Sequence, residues 1–571
     1  MKDPSVAKER YGSNLTKVVL SLLGAVGLLL FILFIAPSSE SRNTLIFGLS
    51  PVRAIIASLF LLLLAVTFWG LYLSIIQSKE RHRLLTARVN AYLSRHLSFT
   101  LVLLYGITII SAYLMLLSLP PIPTSLTFLE SIRVRLLPFV VWLFLAGCGS
   151  IILIRLRYST ELHDSDLVRK LDGIFIAAGI FLITFFLYEH IAAWIGWVNK
   201  SRYSYWDSLA EQFLNGQLYL KHPPQTHDLT YYNGHWYVPN PPVPALVMIP
   251  FAFFFDADEI QTGDISILFS AINVVLVYLI LMELKARRWI NITVLGGLCL
   301  IALLAFGTPH LWVGINGRMW FVSQILTVSF LAFGTLAAIK EWSPWLVGVC
   351  IGLAVGTRPN GLMSWPFMFG IAMQILYDRQ GKLNLNQALS WAMKSSIPIA
   401  LAIGGLLLYN FARFNDFMDF GYTNINGDPV IVESAQKYGL FSLRYIPYNL
   451  KVMFAYLPTI QWGSRWPILP SGAGMSLFLT TPALIYLFHR YEQKIWVWGA
   501  WLAIVFNFLL LALYHNAGKD QFGYRYILDM IVPILSMLAL AIGKKIPWHF
   551  LLLLALSIGI NLYGAYWFMN Y

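Results

Sequence analysis

Two aspartates, Asp207 and Asp228, stand in a polar stretch from Asn199 to Pro250 that interrupts long apolar runs. Three histidines, His222, His227 and His235, share it with Trp236, Tyr237 and a proline cluster from Pro239 to Pro244. A carboxylate fixed near a membrane surface suits general-base work on an acceptor hydroxyl. Burial beside aromatic rings raises its pKa toward a working range. The same rings would hold a sugar or an interfacial headgroup. The structural alternative is an aromatic interface belt with ordinary solvated acids. The residues alone do not choose between Asp207 and Asp228. The histidine spacings match no compact zinc motif, so no cofactor is predicted, with a divalent cation as the alternative.

Cations come from other loops. Arg358 sits in GTRPNG between two short apolar runs. An arginine there must face a polar cavity or an anion, since its cost in lipid is on the order of several kcal/mol. The segment YHNAGKDQFGYRY, 514–526, groups Lys519, Asp520, Tyr524 and Arg525. Asp529 follows Arg525 at the spacing of a helical ion pair. The functional reading is a phosphate clamp, because guanidinium matches phosphate bidentately. The long loop 412–473 adds Arg413, Lys437, Arg444, Lys451 and Arg465. Acid, arginines and aromatics together suggest a lipid-phosphate substrate. Its phosphate would sit at the arginines, its tail in lipid and its reacting carbon near the aspartate.

The elements that must position these residues are membrane spans. The chain is 58% hydrophobic and 12% charged, against about 25% charged for soluble proteins. This composition predicts an all-α polytopic membrane protein. Runs of roughly 20 apolar residues place spans near 17–36, 54–76, 97–118, 136–155 and 171–195. After the polar stretch they recur near 265–283, 289–307, 319–339, 343–357, 360–377, 391–411, 474–489, 495–514, 526–543 and 548–568. The two short runs around Arg358 read as a broken pair. Tyr203–Gly216 reads as an amphipathic helix with Leu209, Phe213 and Leu214 facing the membrane or the core and Asp207 and Glu211 on another side. Val243–Phe255 is too short to span and reads as a helix lying on the membrane surface.

With the N-terminus cytoplasmic, the majority of the 40 Lys and Arg fall on inner segments, as the positive-inside bias requires. The net charge of +13 then needs no nucleic-acid partner. The basic segment Ser78–His96 reads as a cytoplasmic helix on anionic lipid. The same orientation puts the polar stretch, Arg358, the loop 412–473 and the loop 514–526 on the outer face. The side of the turn Gly307–Trp320 depends on where its short neighbours end. Cys148, Cys299 and Cys350 lie in apolar runs and read as packing residues.

The motifs LAEQFLNGQLYL, HDLTYYNGHWYVPNPPVPALVMIP, FGTPHLWVGINGRMWF, GLAVGTRPNG, YNFARFNDFMDFGY, GMSLFLTTPAL and QFGYRYILDMIVPIL run in order along residues 171 to 543. In this layout the chain resembles the GT-C superfamily of polyprenyl-phosphate-sugar glycosyltransferases, in the protein-mannosyltransferase-like and aminoarabinose-transferase-like bacterial branch. The resemblance implies a GT-C-like catalytic core over 166–571, of about eleven spans. An acidic outer loop, 196–264, would carry interfacial helices. Residues 1–165 would be an extension of about four spans.

The resemblance implies an inverting sugar transfer from a polyprenyl-phosphate donor to a lipid, glycan or protein acceptor, in a bacterial plasma membrane, with the site facing outside. The family's first outer loop carries the catalytic aspartate. Here Asn199, Lys200 and Ser201 occupy its usual neighbourhood, so Asp228 and Asp207 both remain candidates. Arg358, Lys519, Arg525, Tyr524, His227, Tyr237 and Trp320 are the expected substrate-binding residues. Rival readings are a transporter or flippase of lipid-linked saccharide and a non-catalytic envelope-assembly protein. A transporter should show internal repeats and mid-membrane charges. The sequence shows no clear repeat, and Glu189 and His190 are the main charged exception.

Overall fold

The computed structural model describes residues 166–195, 201, 203–461, 468–489 and 491–570. The expected N-terminal extension, its basic segment Ser78–His96, Cys148, Asn199–Lys200 and Arg465 lie outside the described residues. The chain divides into two compact units, Met1–Ile183 and Thr184–Tyr571. The second unit holds the polar stretch and every element after it.

The helices run in the order α1 (Asp166–Trp194), α2 (Trp206–Leu214), α3 (Val243–Ala252), α4 (Thr262–Ala286), α5 (Val294–Phe306), α6 (His310–Gly314), α7 (Met319–Ile339) and α8 (Pro344–Val355). They continue with α9 (Trp365–Gln380), α10 (Leu385–Phe414), α11 (Pro429–Tyr438), α12 (Ile446–Leu450), α13 (Leu477–Thr480), α14 (Ile495–Leu513), α15 (Ile531–Ile542) and α16 (Trp548–Asn570). Among the described residues six helical segments are long and apolar enough to cross a membrane: α4, α7, α10, α14, Arg525–Ile542 and Trp548–Phe568. The protein is therefore a helical membrane protein. Its bundle is knit by α4 on α7, α8 on α10 and α9 on α14. Small residues permit this approach. A methyl group at Gly348 would collide with the Ser395 carbonyl of α10, and one at Gly499 would meet Pro366 O at 2.5 Å.

Prolines divide several apolar runs. Arg358 precedes Pro359 and takes an extended backbone, φ −148° and ψ 116°, as a residue before proline must. This breaks the run into α8, a 3₁₀ turn Pro359–Ser364 and α9. The span expected at 474–489 is divided likewise. Thr481 leaves the helical region ahead of Pro482, at φ −134° and ψ 74°, and α13 gives way to a 3₁₀ stretch, Pro482–Phe488. The last break is subtler. Pro533 in a continuous α-helix would clash with the carbonyl of Asp529. The α-helix starts only at Ile531, behind a 3₁₀ segment Arg525–Met530.

The polar stretch folds on its own small core. Tyr205, Trp206, Leu209 and Ala210 pack with Leu220, Leu229, Val238, Met248 and the start of α7. Each large apolar side chain buried there contributes roughly 1.5–3 kcal/mol. Residues 206, 209, 210 and 213 share one helical face, and the Trp206 indole donates to Met319 O at 2.9 Å. That pin turns α2 so that Asp207, expected on the side away from Leu209, is fully buried. Gly216, at φ +69°, follows the helix end. Next comes a hairpin, in which β1 (Thr230–Tyr232) pairs with β2 (His235–Tyr237). Asn233 and Gly234 both have positive φ, as a two-residue turn of this hand requires. The helix expected at Val243–Phe255 forms as α3. It buries Val243, Pro244, Ala245 and Met248 and exposes Leu246, and Phe253 and Phe254 just beyond its end are exposed too.

Candidate active site

Asp228 is held by its backbone. Its φ is +60°, a left-handed geometry that aspartate tolerates better than most residues. Its N–H donates to Asn426 O at 2.7 Å, and Asn426 N–H returns to Leu229 O at 2.8 Å. The Tyr205 hydroxyl donates to His227 O at 2.7 Å. The polar stretch is thus laced to the long loop 412–473, and Thr230 Oγ1 adds a bond to Gly421 O at 2.8 Å. The Asp228 side chain is a quarter exposed, with Oδ1 3.8 Å from His227 Nε2. Burial raises its pKa, and Asp520 adds to the rise; His227, the Trp320 indole and Arg525 pull it back.

Asp228 opens into a cavity of about 380 Å³. His227, Trp320, Arg358, Lys519 and Arg525 line the same cavity, so six of the nine expected site residues converge there from four separate segments. His227, Tyr203 and Trp320 form an aromatic corner with ring centroids 5.6 to 6.3 Å apart. A further arginine lines the wall, Arg318 at the start of α7, with its guanidinium 5.4 Å from the Tyr203 ring. Apolar side chains also line the cavity, among them Ile431, Val432 and Ala435 of α11 and Leu510 and Leu511 of α14.

The cations differ in their partners. Lys519 is exposed and ion-paired to Asp428, which also caps α11 by accepting from Val430 N–H at 3.0 Å. Lys519 holds the Asp428 carboxyl below the usual range. Arg358 Nη2 pairs with Asp529 Oδ2 at 2.9 Å. Asn360 Nδ2 donates to the same oxygen at 2.8 Å. Arg525 does not make the helical pair with Asp529 that the spacing suggests. Its guanidinium lies 5.1 Å from the Phe321 ring and 4.8 Å from the Tyr526 ring. Its Nε and Nη1 are buried and make no hydrogen bond among the described residues. A guanidinium so placed has N–H groups free to donate to an anion.

Three expected residues lie outside this lining. Asp207 is buried in the first turn of α2, where Oδ1 accepts from Ser204 Oγ at 3.0 Å and from Ser208 N–H at 2.9 Å. Tyr237 packs edge-on against Phe414, 5.3 Å between centroids. Tyr524 is fully buried, with its ring edge-on to Tyr526 at 5.6 Å. Arg318, Asn360, Tyr422, Asp428 and Tyr526 line the cavity without having been singled out in the sequence. The one available signal was Arg318, a lone arginine at the head of an apolar run.

The described residues contain no cluster of three or more His, Cys, Asp or Glu able to hold a metal ion. His235 instead stacks on Tyr219 at 3.9 Å. Comparison with protein-family models, with curated proteins and with solved structures finds no match.

Proposed function

We propose that this protein is a membrane glycosyltransferase of the GT-C kind. It would move a sugar from a polyprenyl-phosphate donor to an acceptor hydroxyl, with inversion, on the outer face of a bacterial plasma membrane. The observation that carries this reading is one cavity holding a base and an anion seat together. Asp228 has a carboxyl whose pKa burial raises, and Arg525 has buried N–H groups without partners.

In the proposed reaction Asp228 takes the proton of the acceptor hydroxyl as its oxygen attacks the anomeric carbon. The bond from that carbon to the phosphate oxygen breaks on the opposite side. The electron pair leaves with the lipid phosphate, whose charge Arg525 stabilises where it develops. The raised pKa of Asp228 makes its carboxylate a better proton acceptor for that step. The aromatic corner of Tyr203, His227 and Trp320 would stack a sugar face.

The rival transporter reading draws on the Arg358–Asp529 pair, a buried ion pair among apolar helices of the kind transport pathways use. Purified protein in vesicles separates the two. Sugar transfer from a lipid phosphate to an acceptor, lost in Asp228→Asn, supports the enzyme. Movement of intact lipid-linked saccharide across the vesicle wall, with no transfer, refutes it.

A further inference from the structure

Beneath the cavity the buried charges do not cancel. Arg358 and Arg525 both stand over the Tyr526 ring, at 4.9 and 4.8 Å. One carboxylate, Asp529, sits beside them: its Oδ2 accepts from both Arg358 and Asn360, and its buried Oδ1 makes no hydrogen bond among the described residues. Asn360 Nδ2 is also within 3.2 Å of Asn507 Oδ1 on α14, which ties the cluster to a third element. Asp529 is fully buried and does not line the cavity. The local count is two guanidinium groups against one carboxylate.

We propose that Asp529, without touching substrate, fixes this seat at one net positive charge and so sets how tightly it holds a lipid monophosphate. The inference rests on the reading of the cavity as a lipid-phosphate site. The departing group must be stabilised as it forms, yet it must also leave. A second uncompensated guanidinium in a low-dielectric pocket would hold it too well. For charges about 8 Å apart at an effective dielectric of about 20, one extra charge changes anion affinity roughly tenfold to thirtyfold. Arg318, Lys519, Asp228, Asp428 and Asp520 also line the cavity, but the substitutions that test the proposal leave their charges unchanged.

The test is binding of a short-chain isoprenyl monophosphate to the purified full-length protein in detergent, with its potency as a product inhibitor measured alongside. Asp529→Asn raises the local charge and should bind the probe about tenfold or more tighter, with kcat falling as release slows. The double variant Arg358→Gln with Asp529→Asn returns the count to one and should bind about as the wild type does. It also leaves no carboxylate unpaired, which keeps the test usable should the single variant fold poorly. An Asp529→Asn protein binding no tighter than wild type would overturn the proposal. So would a double variant at least tenfold weaker than wild type, because Arg358 would then be a direct contact rather than a counted charge. Failure of the wild type itself to bind the probe would instead sink the lipid-phosphate reading.

Discussion

Replacing Asp228 by asparagine removes one proton-accepting group and little else. Asparagine tolerates the left-handed region, so the φ of +60° and the bond from residue 228 N–H to Asn426 O survive. A positioned general base contributes about 10²–10⁴-fold, or about 3–5.5 kcal/mol of transition-state stabilisation at about 1.4 kcal/mol per tenfold. Stability should move the other way. Burial raises the folded-state pKa of Asp228, so the fold favours its protonated form. That contribution is full below the unfolded pKa and is lost as pH rises through the folded one. Asparagine mimics the protonated form, so at neutral pH the variant should melt no lower than wild type. The assay is transfer of labelled sugar from a lipid phosphate, with thermal unfolding on the same preparations. Wild-type kcat/KM should fall about tenfold per pH unit below the raised Asp228 pKa, and that acidic limb should vanish in the variant. Retention of more than about a tenth of wild-type activity would refute the assignment, as would activity lost only in step with folded protein.

The remaining predictions concern the groups around it. Asp207→Ala removes the acceptor for Ser204 and for the Ser208 N–H. It should cost about 1–3 kcal/mol of stability while activity per folded molecule is kept, as melting and transfer assays on one sample would show. Arg358→Gln alone leaves Asp529, fully buried, without its cation. It should destabilise by about 3–5 kcal/mol, and adding Asp529→Asn should restore the melting temperature. Lys519 is exposed and already paired, whereas Arg525 is buried with unpartnered N–H groups. Arg525→Lys, which loses the planar fork, should therefore lower kcat by about 10²-fold and Lys519→Met by far less; equal losses would argue against Arg525 as the seat.

What the sequence disclosed was whatever depends on local pattern. Apolar runs located α4, α7, α10 and α14, because length and hydropathy suffice for a span. The Asn233–Gly234 turn and the break at Pro359 are written in residue types. The meeting of His227, Asp228, Arg358, Lys519 and Arg525 was expected only from loops assigned to one face, and Trp320 joins them from a turn whose side was left open. The side of the membrane on which they lie rests on charge bias alone. The misjudged orientation of α2 has a long-range cause. Its buried face is chosen by the indole of Trp206 bonding to Met319, 113 residues away, which no window of local sequence contains.

Arg525 and Asp529 show how a local rule fails for a cause that is itself local. Four residues apart on an α-helix, the two would lie about 40° apart around the axis and could pair. On a 3₁₀ helix, at three residues per turn, the same spacing separates them by about 120°. The segment Arg525–Met530 is 3₁₀, with Pro533 placed where an α-helix would drive its ring into the carbonyl of Asp529. Asp529 is thereby turned toward Arg358, and Arg525 is left without a carboxylate. One proline thus accounts for both halves of the arrangement: a neutralised arginine in the GTRPNG turn, and a bare one facing the cavity. The pairing rule and the proline rule were both readable in QFGYRYILDMIVPIL. The second prevails because a steric clash with the backbone outweighs a pair interaction of about 0.2–0.5 kcal/mol.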